Sequence, residues 1–524
     1  MLSREYDCNA SLAQKVLKGA NVLADNVATT LGPRGRNVIL KEKGKDPFVS
    51  KDGVTVARFV ELEDPFENAG AQIIKQVAIQ TNSDAGDGTT TSTVLARSIL
   101  QHSQRYLTAG VSPVELKRGM DKAVSAISDR LDELSRPIMS AEDIEHIATI
   151  SANNDKTVGK LISTAVDRVG KDGAITVEEA RSVETSLELT EGFQFDAGYC
   201  ANAFITDERR GIMHYEDPYI LVTDYKLDAV EPILPALEVV AREGKPLVIV
   251  AEEIEGQALA AMIMNAIRGT MRVAAIKAPR YGEERRNILK DLTISVGAKF
   301  INRQSGIKLQ DVKLEHFGRA KSIESVANST TIIGGAGDYE EVEQRIQLLK
   351  KEFSDTDNMH ECERLQERIT RLASGVAVIR VGGATEIEMI ERKHRIEDAL
   401  EAVTSARLGG VVPGGGVALV RAVADLEVEV ENDEQAMGVE IVLSAALDPL
   451  RQMAKNAGES PDLITKSVQE QEKNHGFDFR NRKIVDMYEA GIIDPAKVTK
   501  TALTNAVSVA GTLITTNYAI IQTK

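Results

Sequence analysis

Apolar positions recur at three- and four-residue spacing at Leu12, Val16, Ala20, Leu23 and Val27, the period of an amphipathic helix. Gly32-Pro33 closes it, because proline removes a backbone donor and blocks a further turn. Asn37–Leu40 and Pro47–Ser50 read as short strands, bounded by Gly44 and by Lys51-Asp52-Gly53. A second helix is predicted from Glu67 to Asn82, and a third from Thr89 through Leu95 and Ile99. From Pro137 the pattern changes: helices carry more charge, and Gly173–Val177 reads as a strand. Between Gly192 and Gly375, strand-like runs at Tyr219–Val222, Pro246–Ala251 and Val273–Ile276 alternate with helical ones, as in an α/β unit with a partly parallel sheet. Residues 339–373 hold two highly charged helical stretches around Ser354-Asp-Thr-Asp357. Thr385–Leu408 reads as a long amphipathic helix closed by Gly409-Gly410, and the last hundred residues read as mostly helical. Gly192, Gly375, Gly409, Gly410 and Pro137 stand where composition shifts, as loops or as hinges.

Length and charge narrow the classes. The 524 residues suggest three domains. With 63 Lys+Arg against 79 Asp+Glu the net charge is −16, which excludes extended contact with nucleic acid or an anionic membrane surface, since both need clustered cations. Aromatics are 4% and Trp is absent, so the core must be built from Ala, Val, Ile and Leu. Cys8, Cys200 and Cys362 are far apart with no CxxC pair, which supports neither a disulfide framework nor a cysteine zinc site. His360 and Cys362 are two apart and point to different sides of a helix. The amino terminus shows no export or organelle signal, and a reducing cytoplasm is expected. Thr501–Thr523 has no charge and is long enough to span a bilayer. Ten of its 23 positions are Thr, Ser, Asn or Gln, so it is expected as a helix buried inside a large assembly.

The strongest chemical signal is Asp84-Ala-Gly-Asp-Gly-Thr-Thr-Thr91. Two glycines release the backbone before three threonines open a helix, whose unpaired N–H groups suit a phosphate. Asp87 at its mouth is a hard oxygen ligand of the kind Mg2+ takes beside phosphates. The same string also fits an ordinary capped helix after a tight turn. Thr29–Asn37 and Gly414-Gly-Gly416 permit close approach to backbone, each weakly alone. None of the Gly-Lys pairs precedes Ser or Thr, so there is no Walker A loop, and no Rossmann, zincin or GxSxG pattern occurs. Asp52 and Asp398 fit either water orientation or a solvated surface.

In order along the chain, Thr30-Leu-Gly-Pro33, Lys51-Asp-Gly-Val-Thr-Val-Ala57, Glu61-Leu-Glu-Asp64, Ala85-Gly-Asp-Gly-Thr-Thr-Thr91, Lys277-Ala-Pro279, Gly375-Val-Ala-Val378, Glu397-Asp-Ala-Leu400, Gly410-Val-Val-Pro-Gly-Gly-Gly416 and Asp494-Pro-Ala-Lys-Val498 resemble the group I chaperonin family, the GroEL type. The resemblance implies an α+β multidomain chaperonin fold. It gives a mostly helical equatorial ATPase domain (1–135 plus 409–524), a small intermediate domain (136–190 plus 376–408) and an α/β apical domain (191–375). It implies ATP, Mg2+ and K+ as cofactors. Thr30, Leu31, Gly32 and Pro33 would border the phosphates, and Gly88, Thr89, Thr90 and Thr91 would cradle them. Asp87 would hold Mg2+, and Thr30, Lys51 and Thr90 would hold K+. Gly415 and Asp494 would lie on the ribose side, with Ile492 against the base. Asp398 would orient the attacking water with Asp52 assisting. Apical Tyr199, Phe204, Leu234, Leu237, Leu259, Ile263 and Met264 would offer exposed apolar contacts to non-native polypeptides and to a co-chaperonin lid. The implied assembly is a homo-heptameric ring, single or double.

Departures from the family pattern fall at interaction positions. Cys200-Ala-Asn-Ala203 replaces a Leu-Ser-Pro-Tyr-like run, and Ala197 stands for an arginine expected to pair with Glu386. Ser460 stands where an acid near Arg451 is expected, weakening a ring-to-ring ion pair, and Asp478-Phe-Arg480 replaces Asn-Ala-Ala near the base. The family's Gly-Met-rich tail is missing. The altered apical run leaves a second class of function open, a diverged paralogue that binds or scaffolds proteins with little folding activity. A nucleotide-using metabolic enzyme has no motif in its favour.

Overall fold

The computed structural model describes residues 3–523 except 43, 45, 46, 171–173, 181, 357 and 374. Gly173 and Asp357, at the edges of two expected elements, lie outside the described residues. The chain divides into two compact units, one of residues 1–164 and 383–524, the other of residues 165–382.

The first unit is mostly helical. The predicted apolar stripe becomes the helix Asn9–Ala28, burying Leu12, Ala20, Leu23 and Val27. It packs along the helix Pro65–Ala85, which starts earlier than Glu67 because Asp64 caps it and Pro65 suits its first turn. The two helices touch where a Cβ on Gly70 would lie 2.4 Å from the Val16 carbonyl oxygen, so a glycine is required there. The helices Thr89–Thr108 and Ala496–Ile514 complete this core with Leu95, Ile99, Ala502, Leu503, Ala506 and Ala510. Small aliphatic side chains allow these close crossings, which accounts for the aromatic-poor composition.

The long helix expected over 501–523 is corrected. It stops at Ile514, and Tyr518–Thr523 is a strand paired antiparallel with Ser3–Cys8. Near the stop Thr515 and Thr516 bond back to carbonyls of the last turn, a competition with continued helix typical of hydroxyl side chains. Among the described residues no helix is long and apolar enough to cross a membrane. The two expected strands are Val38–Leu40 and Phe48–Ser50, and they pair antiparallel. The long helix is Glu386–Gly409, capped by Thr385 through the Glu388 N–H.

The second unit is α/β. Its seven-stranded sheet runs Val273–Lys277, Leu247–Ala251, Tyr219–Val222, Gly318–Ser325, Thr330–Gly335 and Gly192–Phe195, with Met213–Glu216 also paired to Gly318–Ser325. The first three strands are parallel, and the Leu247 and Tyr219 strands are buried throughout, the pattern of a sheet covered on both faces. A separate three-stranded sheet joins Ile175–Glu179, Val376–Val381 and Ser186–Thr190. The two charged stretches are the helices Tyr339–Asp355 and Met359–Ala373. They are anchored to the helix Gly282–Val296 by Asp291, which accepts from Arg345 Nε at 2.9 Å and from Arg368 Nε and Nη2 at 2.6 and 2.9 Å.

Candidate functional site

The first unit encloses a cavity of about 530 Å³. Thr30, Leu31, Gly32, Pro33, Lys51, Asp52, Asp87, Gly88, Thr89, Thr90, Thr91, Asp398, Gly415, Ile492 and Asp494 all line it. Positions nearly the whole chain apart therefore meet in one space. Its volume lies in the range of small-molecule sites.

The threonine end is built on a helix start. Gly88, at φ +86°, turns the chain into the helix Thr89–Thr108, and no side chain caps that turn. Thr30 donates to the Val27 carbonyl at 2.8 Å, and its Oγ1 lies 3.3 Å from Thr90 Oγ1. A Cβ on Gly53 would stand 2.5 Å from Thr90 Oγ1 and 2.7 Å from Thr89 Oγ1, so the missing side chain keeps this cradle open. Asp52 caps the helix Gly53–Phe59, accepting from the Val54 and Thr55 N–H groups at 3.2 and 3.0 Å. Asn456 Nδ2 holds the Thr30–Pro33 turn through the Ala28 and Leu31 carbonyls, both at 2.9 Å.

The charged groups are displaced from their ordinary protonation behaviour. Burial pushes the Asp87 carboxyl up, against the opposing hydrogen bonds from Gly88 N–H at 2.5 Å and Ser151 Oγ at 3.0 Å, while Asp52 adds to the rise. Asp494 is pushed up to about 6 by burial and by the Asp87 charge, opposed by the Gly415 N–H. Lys51 is lowered by burial and by Arg395; its Nζ donates to the Gly32 carbonyl at 3.1 Å. The Lys51 ammonium cannot ligate a cation, so any K+ contact at this position would fall to its backbone oxygen.

Opposite, the Asp478 run departs from the family pattern and is consumed in its own turn. Asp478 accepts from Arg480 N and Asn481 N at 2.8 and 3.2 Å and from Asn481 Nδ2 at 2.7 Å. Phe479 is buried edge-on to Phe477, and Arg34 holds the run through the Phe479 and Arg480 carbonyls. Asp398 lies on the helix Glu386–Gly409, which Ser405 ties to the Ala85 carbonyl at 2.8 Å.

Sequence reasoning missed the wall formed by Ser151, Asn153, Asn154, Glu391, His394 and Arg395. Asn153 and Asn154 have φ +56° and +66°, a conformation that asparagine adopts more readily than most residues. The adjacent asparagines were thus a readable turn signal. The sequence around Ser151 carried no comparable local signal. Among the described residues no three His, Cys, Asp or Glu side chains form a metal cluster; His360 and Cys362 are not among the residues that line the cavity, and Cys362 Sγ is directed to the Thr356 carbonyl.

In the second unit the seven apolar candidates divide. Leu234 and Met264 are 46% and 45% exposed, while Tyr199, Leu259 and Ile263 are partly buried. The expectation of exposure is corrected for Phe204 and Leu237, which are 1% and 7% exposed. Phe204 ends the one-turn helix Asn202–Phe204 and fills the core, and Leu237 lies one turn beyond Leu234 on the inner side of the helix Leu234–Glu243. In the first unit Arg451 pairs with Asp448 and Asp462 at 3.2 and 3.5 Å, so Asp462 supplies an acid near the Ser460 position.

A helical unit built around this cavity, its chain interrupted by an α/β unit, defines a multidomain α+β protein of chaperonin fold. Two structures of the chaperonin gp146 from bacteriophage EL 2 (Pseudomonas aeruginosa), in the presence of ATP-BeFx, share it. One matches at 21% identity and TM-score 0.68 over 100% of both chains, the other at 21% and 0.62 over 99% of both. Residues 23–524 match the TCP-1/cpn60 chaperonin family, and the chain belongs to it.

Proposed function

We propose that this protein is an ATP-dependent chaperonin of the group I type that binds and encloses non-native polypeptides in a heptameric ring, with a three-part division into equatorial, intermediate and apical domains. The observation that carries the reading is the convergence of the threonine helix, the two glycine turns and Asp398 on one cavity. The residues fit the implied cofactors. Asp87 offers one carboxylate, as Mg2+ needs when phosphates and water complete its shell, and the close Thr30 and Thr90 hydroxyls offer oxygens to K+. Bound Mg2+ would neutralise charge on the phosphates. The uncapped turn at Thr89–Thr91 cradles the phosphates through N–H and hydroxyl donors. Gly415 and Asp494 border the ribose, and Ile492 packs on the base. Asp398 holds the attacking water, with Asp52 assisting, so that hydrolysis depends on positioning. The exposed Leu234 and Met264 supply the adaptable apolar contact for clients or a lid.

Asp398→Ala tests the assignment. ATP hydrolysis should fall by two orders of magnitude or more while light scattering still reports the assembly. Seven copies of the 56.9 kDa chain weigh about 398 kDa; hydrolysis at the wild-type rate would overturn the role of Asp398, and a monomeric wild type would overturn the ring. The burial of Phe204 and Leu237 favours one second reading, a diverged paralogue that holds proteins with little folding activity. ATP-driven recovery of a denatured test enzyme would eliminate it.

A further inference from the structure

Hydroxyl side chains within helices can bond to the carbonyl one turn back. Ser103, Thr164, Ser354, Thr404 and Thr512 all do so here. Ser151, the last residue of the helix Ala141–Ser151, does not: its Oγ donates to Asp87 Oδ2 at 3.0 Å, across 64 residues of sequence. The other oxygen of the same carboxylate, Oδ1, accepts from the Gly88 N–H at 2.5 Å. Each oxygen is therefore held by a different element, and rotation about the Asp87 side chain breaks one bond or the other.

The serine is itself firmly placed. Its helix ends in a closed turn, with Asn153 N–H on the Ile150 carbonyl at 3.1 Å and Asn154 N–H on the Thr149 carbonyl at 2.7 Å. The helix is seated against the loop that leads to Asp494: a Cβ on Gly491 would stand 2.7 Å from the His146 ring. The helix Glu386–Gly409, carrying Asp398, packs on it as well.

Resting on the reading above, we infer that Ser151 is a positioning residue for the cation, presetting the Asp87 carboxylate so that a lone pair on it faces the phosphates. Partners that orient a metal ligand are commonly worth 10- to 100-fold in metal affinity. On this inference the cation site is complete only when the helix Ala141–Ser151 is seated. It makes that helix the physical link between the cation and the wall that carries Asp398.

The test is calorimetric binding of a non-hydrolysable ATP analogue to the assembled protein across a series of free Mg2+ concentrations and in EDTA. Ser151→Ala should raise the half-saturating Mg2+ concentration about tenfold and leave binding in EDTA unchanged. Ser151→Thr, which keeps the hydroxyl, should restore the wild-type Mg2+ curve. Three results would overturn the inference: a Ser151→Ala curve that superposes on wild type, an equal loss with and without Mg2+, or no rescue by threonine in a variant of wild-type melting temperature. A wild-type chain without Mg2+-dependent nucleotide binding would overturn the ATPase reading and the inference together.

Discussion

Asp494→Asn should stabilise the nucleotide-free protein while weakening nucleotide binding. The aspartate carboxyl titrates at about 6 in the folded protein instead of 3.8, because burial and the neighbouring Asp87 charge oppose ionisation. A raised carboxyl pKa means that the folded state holds a proton that the unfolded state has lost. Between pH 4 and 6 stability therefore falls as pH rises, and above the folded-state pKa the loss is complete. At about 1.4 kcal/mol per unit the full loss is about 3 kcal/mol. That figure is an upper bound, since Asp494 lines the cavity and is only partly covered by protein. Asparagine keeps an oxygen for the Gly415 N–H that the aspartate accepts and removes the charge. Denaturant midpoints in EDTA at pH 5 and 7.5 should show the variant more stable than wild type at pH 7.5, by up to about 3 kcal/mol, with the gap narrowing by roughly half at pH 5. Calorimetry on the same samples should show weaker nucleotide binding. A variant less stable than wild type at pH 7.5, or a gap that does not change with pH, would refute the electrostatic account.

Gly53→Ala places a Cβ 2.5 Å from the Thr90 hydroxyl and 2.7 Å from that of Thr89. Titration calorimetry should show about a tenfold loss of nucleotide affinity, with a melting temperature close to wild type because alanine favours the helix it starts. In the second unit, Asp291→Ala leaves Arg368 and Arg345 charged and unpaired; Asp291 and Arg368 have only 1% and 8% of their side-chain surface exposed. The loss should be about 3–5 kcal/mol, read as early proteolysis of residues 339–373. The Asp291→Leu/Arg368→Leu pair should recover much of it, and unchanged proteolysis in Asp291→Ala would show that the ion cluster contributes little.

Regular helices were legible wherever an apolar stripe met capping residues. Leu12 to Val27 announced one helix, and Thr385 with Gly409-Gly410 bracketed another. The buried parallel strands were equally plain, since continuous runs such as Leu247–Ala251 are covered on both faces. What failed was the charge-free carboxyl-terminal segment. Its composition suits a buried helix and a strand alike, and the choice is made by a partner at Ser3–Cys8, some 510 residues away. No window along the chain contains that information. The same limit explains Phe204 and Leu237: the resemblance supplied their positions, but their exposure depends on which helix face meets the sheet.

The cavity was legible in its glycines and threonines because a released backbone beside hydroxyl donors is a local pattern. Its electrostatics were not, because they arise from groups brought together by folding. Burial raises Asp87 and Asp494 and lowers Lys51, so two acids and a base are held in one cavity and each resists its charged form. A buried acid and a buried base in contact relieve one another. Here Lys51 Nζ is spent on the Gly32 carbonyl, and the charge that acts on it is the like charge of Arg395. Its displacement is therefore left for a ligand to reverse. Phosphate would restore the lysine and a divalent cation Asp87, whose charge also bears on Asp494, so neither alone answers every group. A metal-bound polyphosphate does, which joins the placement of these residues to the chemistry proposed for them.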